Sequence, residues 1–359
     1  MSVLRAHRLG LVEYEDGLAL QERFVQARRA GSEPDALLLL QHPPVLTLGR
    51  GGKRANVLAT PEALARLGVE VFETARGGDV TYHGPGQIVG YPILQLPPGR
   101  QDVVRYVRDV EEALIRALVR FGLRAGRIPK WTGAWLGSPE SGDARKIAAI
   151  GVHLSRWLTS HGFALNVRAN LSHFELIVPC GIRGAGVTSM ERELGGRAPP
   201  DEEVEHALAE SVASVFGHRL EWAPEPARTV AVAVVRESPR RQVLLLKRRP
   251  ERGGFWQVVT GRVEPGESPE QAAAREVQEE TGQALPVRAL GYEHAFALGD
   301  RLPPALTRET AFAARWTGGE VRLSDAEHER HRWVDPDEAQ ASLPFRGLRE
   351  AARRALAEG

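Results

Sequence analysis

The spacing of apolar residues divides the first part of the chain between strands and helices. The run Leu37-Leu38-Leu39-Leu40 predicts a buried strand. Apolar residues at helical spacing follow Asp102, and this pattern predicts a helix that Asp102 caps and Gly122 ends. Further strands are predicted over residues 80–83, 88–96, 146–154 and 162–167, and a helix over residues 200–216. The pattern therefore predicts a mixed α/β protein.

A break in this pattern lies at Pro224 and Pro226, because two prolines in alternation are unfavourable both in a helix and in a central strand. The apolar run over residues 229–235 that follows predicts a strand. A chain of 359 residues also exceeds one ordinary core. We therefore predict a first domain over residues 1–222, a linker over 223–228 and a second domain over 229–359.

Composition and charge narrow the class of protein. Apolar residues make up 42% of the chain and charged residues 26%, which is typical of a soluble globular protein. A net charge of +1 favours neither nucleic acid nor a membrane as partner. Nowhere does the sequence have the ~20 continuous apolar residues of a membrane span, and its first residues lack the apolar stretch of a signal peptide. We expect a cytoplasmic protein.

Three glutamates in the second domain lie on one predicted helix. The helix begins at the cap Ser268 and ends at Gly282. Glu276, Glu279 and Glu280 are spaced three and four apart, so they project from one face. Carboxylate oxygens suit Mg²⁺ or Mn²⁺, whereas the simpler interpretation is a solvated acidic face. The glycine loop and caps at fixed spacing favour a metal site.

The segment from Gly261 to Gln283 resembles the Nudix box. Only its last residue, Gln283, departs from the box, at a position that normally holds an aliphatic residue. This resemblance implies a Nudix α/β/α sandwich. It also implies Mg²⁺-dependent or Mn²⁺-dependent hydrolysis of a nucleoside diphosphate linked to another group, so a nucleotide-like pyrophosphate is the expected substrate.

The same resemblance implies roles for residues around the box. Arg275 would orient the carboxylates, and Glu327 and Glu329 are candidate bases. The residues before Gly261 resemble the branch that acts on dATP-like or dihydroneopterin triphosphates. Trp256 is there either a stacking surface for a heterocycle or part of the core.

In the first domain, Cys180 is the one cysteine of the chain and lies in a Pro-Cys-Gly turn. It is either a small buried hydrophobe or a reactive thiol. Lys146 opens an apolar strand, where an ammonium either reaches solvent from an edge or pairs with an anion. A thiolate would be such an anion, and the lysine would lower the pKa of the thiol.

A glycine-rich segment runs from Arg76 to Gln87. Gly77 and Gly78 leave space for a ligand against the backbone, and their N–H groups can bind a carbonyl or a phosphate. A simple structural turn is the alternative. Arg76, Tyr82 and His83 beside the same turn favour a binding site.

Four separated segments, Arg76–Gln87, 146–151, 160–167 and 178–182, together resemble the lipoyl(octanoyl) transferases. The resemblance covers about residues 1–220 and implies the fold of the biotin and lipoate protein ligase catalytic domain. It makes Cys180 the acyl-thioester nucleophile and Lys146 the residue that lowers its pKa. The residues that it implies at the acyl substrate are Arg76, Gly77, Gly78, Asp79, Val80, Thr81, Tyr82, His83, Ala149, Ile150, Gly151, Gly162, Phe163 and Ala164.

The implied reaction transfers an octanoyl or lipoyl group from acyl carrier protein to a lysine of a lipoyl domain. The implied acceptors are the lipoyl domains of 2-oxoacid dehydrogenases and the glycine cleavage H protein. Thioester exchange is nearly balanced in energy, so we expect no cofactor for this domain. Either Lys146 or His83 would accept the proton of the target amine.

Three alternatives stay open at this point. The first domain is instead an ATP-dependent lipoate or biotin ligase, although such an enzyme needs no cysteine. The Nudix domain is instead a module that senses a nucleotide without cleaving it. Finally, the two domains are joined without functional coupling.

Overall fold

A computed structural model describes residues 2–178, 185–299, 301–324 and 326–357. The chain forms two compact units, one over Met1–Glu225 and Gly299–Ala305 and the other over Pro226–Leu298 and Leu306–Gly359. No helix among the described residues is both long and apolar enough to cross a membrane.

The first unit is built on a mixed main sheet and a small second sheet. Its strands are β1 (Val3–Leu11), β2 (Asp35–Gln41), β3 (Val45–Leu48), β4 (Glu70–Glu73), β5 (Val80–His83), β6 (Gln87–Ile93), β7 (Gly126–Ile128), β8 (Trp131–Leu136), β9 (Arg145–Ser155), β10 (Leu158–Asn166), β11 (Gly186–Val187) and β12 (Arg219–Trp222). Its helices are α1 (Tyr14–Arg29), α2 (Pro61–Arg66), α3 (Val103–Val119), α4 (Met190–Glu193) and α5 (Asp201–Phe216). The main sheet has the order β12-β1-β2-β6-β10-β9-β8-β7, with β11 also paired to β9, and the small sheet has the order β4-β3-β5.

Helix α3 covers one face of the main sheet. The Asp102 side chain accepts a hydrogen bond from the Arg105 N–H and caps the helix as predicted. The helix ends at Val119, slightly before the predicted stop at Gly122. Its apolar stripe, which includes Tyr106, packs with α5 and the sheet in one core cluster.

The hairpin between β9 and β10 is the main departure from the predicted strands. Strand β10 begins at Leu158 rather than at residue 162, because Ser155 and Leu158 pair directly across a two-residue turn. Arg156 and Trp157 occupy that turn with φ of 54° and 61°. Asn and Gly are the usual residues of such a turn, so the sequence carried no turn signal here.

The second unit is a mixed sheet with helices packed on it. Its strands are β13 (Ala227–Arg236), β14 (Gln242–Arg248), β15 (Trp256–Gln257), β16 (Val259–Arg262), β17 (Val287–Leu298), β18 (Ala305–Arg315) and β19 (His328–Val334), and its helices are α6 (Pro269–Thr281), α7 (Pro336–Ser342) and α8 (Arg346–Ala357). The sheet has the order β15-β14-β13-β18-β17, with β16 paired to β13 and β19 to β14. Strand β13 begins inside the predicted linker, directly after Pro226.

Candidate functional site

A pocket of the first unit gathers most of the residues predicted to bind the acyl chain. It lies between the loop before β5, strand β5 itself and the paired strands β9 and β10. The predicted residues that line it are Arg76, Gly78, Asp79, Val80, Thr81, His83, Ala149, Ile150, Gly151, Gly162, Phe163 and Ala164, and it is also lined by Tyr14, Val89, Tyr91 and His161. Tyr82 lies elsewhere, since its hydroxyl contacts His173 Nδ1 at 2.9 Å and its ring packs on Phe174.

Arg76 holds the glycine loop in place. Its guanidinium is buried and donates from Nη2 to the Thr47 carbonyl (2.5 Å) and from Nη1 to the Gly77 carbonyl (3.0 Å). The Gly77 N–H donates to Val152 O of β9 at 2.8 Å, so this N–H is committed to the fold. A Cβ on Gly151 would lie 2.9 Å from Gly77 O. The loop and β9 therefore approach closely because Gly151 has no side chain.

His83 is a neutral side chain at the floor of this pocket. Burial, followed by the charges of His42 and Arg76, lowers its pKa to about 3. The Gln87 Nε2 donates to Tyr82 O and to Asn166 Oδ1, which leaves Gln87 Oε1 as the acceptor for His83 Nδ1 at 2.7 Å. These contacts place the imidazole proton on Nδ1.

Lys146 lies in a second pocket that adjoins the first, since Thr81 and Ala149 line both. The lysine is buried, and its Nζ lies 4.7 Å from the centroid of the Trp135 ring. Strand β11 pairs with β9 at Arg145 and Lys146. Cys180, the predicted nucleophile, lies outside the described residues. The second pocket is also lined by Gln87, Trp135, Asn166, Phe174, Ala185, Gly186 and Val187.

In the second unit, Arg275 organises the carboxylates of α6. Its guanidinium donates to both oxygens of Glu267 (3.0 and 3.1 Å), to Glu276 Oε1 (2.7 Å) and to Glu279 Oε2 (3.1 Å). It also donates to Arg262 O at 2.8 Å. The helix itself begins with the predicted capping box of Ser268. Arg275 thus fixes two of the three predicted metal ligands.

Glu280, the third predicted ligand, points into the interior. Only 3% of its surface is exposed, and neither carboxylate oxygen has a hydrogen-bond partner. Burial, together with repulsion from Glu276 and Glu327, raises its pKa well above the ordinary value. An unpartnered buried carboxylate is unfavourable unless a cation joins it, so the donor set fits a hard divalent metal ion. Among the described residues, no three such side chains already converge as a formed metal site.

Of the two candidate bases of this unit, only Glu327 acts on the carboxylates of α6. Glu327 acts on Glu280 electrostatically and pairs with Arg252 at 2.8 Å. Glu329 is exposed and pairs with Arg330. The Arg332 guanidinium carbon lies 4.2 Å from the centroid of Trp256. A heterocycle stacked on that face of the ring would have to displace Arg332.

The sequence matches two family models, one in each unit, and it is similar to a curated relative over nearly all of its length. Residues 13–213 match the lipoyl protein ligase A/B catalytic domain, and residues 227–358 match the NUDIX domain. The octanoyltransferase of Myxococcus xanthus is 60% identical over 359 residues, which is 99% of this chain and 100% of that protein. The chain belongs to the octanoyltransferase family. It is an acyltransferase that carries a Nudix hydrolase domain.

Other octanoyltransferases match the first unit. That of Acidobacterium capsulatum is 52% identical over 232 residues, covering 62% of this chain and 94% of the relative. Among solved structures, the bipartite lipoate protein ligase of Thermoplasma acidophilum, studied with its E2 lipoyl domain, superposes with a TM-score of 0.50 at 15% identity, over 63% of this chain and 89% of that one. The Escherichia coli dihydroneopterin triphosphate pyrophosphohydrolase is 26% identical with a TM-score of 0.33, over 37% of this chain and 96% of that one. Both predicted families and the mixed α/β fold class are confirmed.

Several residues of this octanoyltransferase site were not predicted. Gln87 and Asn166 lie inside the recognised motifs, so the polar amides at these positions could have predicted that both residues line the pocket. Tyr14, Tyr91 and Trp135 reach the pockets from strands or helices with no motif of their own. Their placement depends on strand register, which local spacing does not reveal.

Gly261 of the Nudix box makes room for Glu276. A Cβ at this position would lie 1.8 Å from Glu276 Cδ. We expect Gly261→Ala to displace that carboxylate and to weaken Mg²⁺ or Mn²⁺ binding by about tenfold or more. Cation-dependent shifts of the melting temperature measure this effect. Gly126→Ala, at a site with open space around its Cβ, should leave the shift unchanged; wild-type cation affinity in Gly261→Ala would contradict the expectation.

Proposed function

We propose that the first unit transfers an octanoyl or lipoyl group from acyl carrier protein to a lysine of a lipoyl domain, through a thioester on Cys180. The observation that carries the proposal is that buried Lys146 lines one pocket and that the adjoining pocket is lined by small residues of β9 and β10. An ammonium beside a thiol lowers the pKa of that thiol and so favours the nucleophilic thiolate.

The proposed reaction has two steps. The Cys180 thiolate attacks the thioester carbon, and the bond to the phosphopantetheine sulfur breaks. Lys146 gives its proton to the departing thiolate and becomes neutral. The neutral amine of the acceptor lysine then attacks the same carbon, passes a proton to Lys146 and displaces Cys180 as a thiolate.

Lys146 is the better of the two proton acceptors considered. A pKa of about 3 makes His83 too weak a base at neutral pH. Its Nδ1 proton is also held by Gln87. The role of His83 is therefore to line and shape the acyl pocket together with Arg76.

The test is intact-mass analysis after mixing the chain with octanoyl-acyl carrier protein. We expect an adduct of one octanoyl group, discharged by a lipoyl domain and absent in Cys180→Ala. ATP should have no effect. Strict dependence on ATP, or full activity in Cys180→Ala, would support the ligase alternative and reject this proposal.

For the second unit we propose hydrolysis of a nucleoside-diphosphate-type pyrophosphate. Glu276, Glu279 and Glu280 would hold Mg²⁺ or Mn²⁺. Such a cation, when bound, polarises water and neutralises phosphate oxygens. Arg275 orients Glu276 and Glu279, while Glu327 is the better-placed of the two candidate bases.

A panel of nucleotides tested with Mg²⁺ separates catalysis from sensing. Phosphate or pyrophosphate release that disappears in Glu279→Gln plus Glu280→Gln would support hydrolysis. Nucleotide binding without release from any compound of the panel would support a sensing module instead.

A further inference from the structure

Lys146 contacts Trp135, a residue that belongs to none of the recognised motifs. Trp135 of β8 is the direct cross-strand partner of Lys146 on β9, so the two side chains lie on the same face of the sheet. Both side chains are buried. The Lys146 Nζ lies 4.7 Å from the centroid of the indole, within the range of a cation–π contact.

The indole is itself held in one orientation. Its Nε1 donates to Trp131 O at 3.1 Å, and the Trp131 ring packs on it at a centroid distance of 5.1 Å. Ile128 and Ala144 complete the cluster around it. Because these contacts already restrain the ring, it contacts the Lys146 ammonium without further loss of side-chain entropy.

Strand β8 also approaches the aliphatic carbons of the Lys146 side chain, at Gly133. Gly133 has a φ of 128°, and a Cβ on it would lie 3.5 Å from Lys146 Cε and 2.5 Å from Ala148 O. The Gly133 N–H donates at 3.1 Å to Glu111, a buried carboxylate that also pairs with Arg108. Strand β8 therefore contacts both the stem and the ammonium of Lys146.

We propose that Trp135 is a positioning residue for octanoyl transfer, whose ring holds the Lys146 ammonium in place. The inference rests on the proposed role of Lys146 and adds a residue to it. The face of an aromatic ring attracts a cation, so the indole restrains the ammonium to one position. In the proposed site, loss of the ring lets the ammonium move away from the Cys180 thiolate and so raises the pKa of that thiol.

The test uses the full chain and its one thiol, because Cys180 is the only cysteine and total alkylation reports on it alone. The pH dependence of iodoacetamide alkylation is followed by intact mass. We expect Trp135→Leu to move the midpoint upward by about one pH unit and Trp135→Phe by about half as much, in the order of the ring quadrupoles. Trp135→Phe keeps an aromatic ring in the cluster and serves if Trp135→Leu does not fold.

Two further variants make the outcomes distinct. Trp131→Leu removes a ring that packs on Trp135, while the backbone carbonyl of residue 131 still accepts the indole N–H, so a midpoint shift well below that of Trp135→Leu is expected. A shift as large as that of Trp135→Leu would reduce the effect to packing and overturn the inference. An unshifted Trp135→Leu beside a shifted Lys146→Met would overturn the inference alone. An unshifted Lys146→Met would instead reject the proposed role of the lysine.

Discussion

Replacing Lys146 by methionine is expected to reduce octanoyl transfer by about 1,000-fold, because the variant loses both functions that we propose for this lysine, the charge that activates Cys180 and the proton acceptor. Methionine preserves the length of the side chain and suits the buried environment. A side chain of similar length fills the buried space, so the melting temperature of Lys146→Met is expected to stay close to that of the wild type. Transfer assays with octanoyl-acyl carrier protein and thermal melts measure the two effects.

A large loss of transfer at an unchanged melting temperature separates chemistry from misfolding. Lys130→Met provides the control, since Lys130 is exposed in the same unit and transfer should be retained. Thioester formation at the wild-type rate in Lys146→Met would remove this lysine from the mechanism. A fall in both transfer and melting temperature would assign Lys146 a structural role.

Replacing Glu280 by glutamine is expected to abolish most cation-dependent hydrolysis, by about 100-fold or more, while octanoyl transfer by the same chain stays unchanged. The carboxylate is buried, and its oxygens have no hydrogen-bond partner among the described residues. A neutral amide of the same shape is less costly to bury. In the presence of a chelator, the variant should therefore melt at a higher temperature than the wild type.

Adding Mg²⁺ should reverse that order. The cation stabilises the wild type by binding the folded state and has less to bind in Glu280→Gln. Glu270→Gln, an exposed position in the first turn of α6, is the matched control and should behave as the wild type. An unchanged cation response in Glu280→Gln would remove Glu280 from the metal site.

Local patterns predicted the elements whose signals are local. The Asp102 cap, the capping box of Ser268 and the helix end at Gly217 all occur where the sequence placed them. The start of β10 was wrong by four residues because Arg156 and Trp157 form a turn that these residue types rarely adopt. The spacing of apolar residues therefore did not predict a strand boundary that depends on cross-strand pairing.

The candidate sites show the same division. Motif residues such as Arg76 and Gly151 reached one pocket because they belong to contiguous segments around it. The contact of Trp135 with Lys146 depends on the register between β8 and β9, and the pKa of His83 depends on burial among residues distant in sequence. The Arg332 guanidinium on Trp256 likewise arises from neighbouring strands rather than from any motif.

The five donor contacts of Arg275 have a consequence for the free energy with which the Nudix unit can bind an ion. Because the guanidinium already restrains Glu276 and Glu279, their rotamer freedom is lost when the protein folds rather than when the ion binds. Lysine could not reproduce this restraint, since a single ammonium cannot span Glu267 and Glu279 as the planar fork does. Arginine here shifts an entropic cost from each binding event to a single folding event.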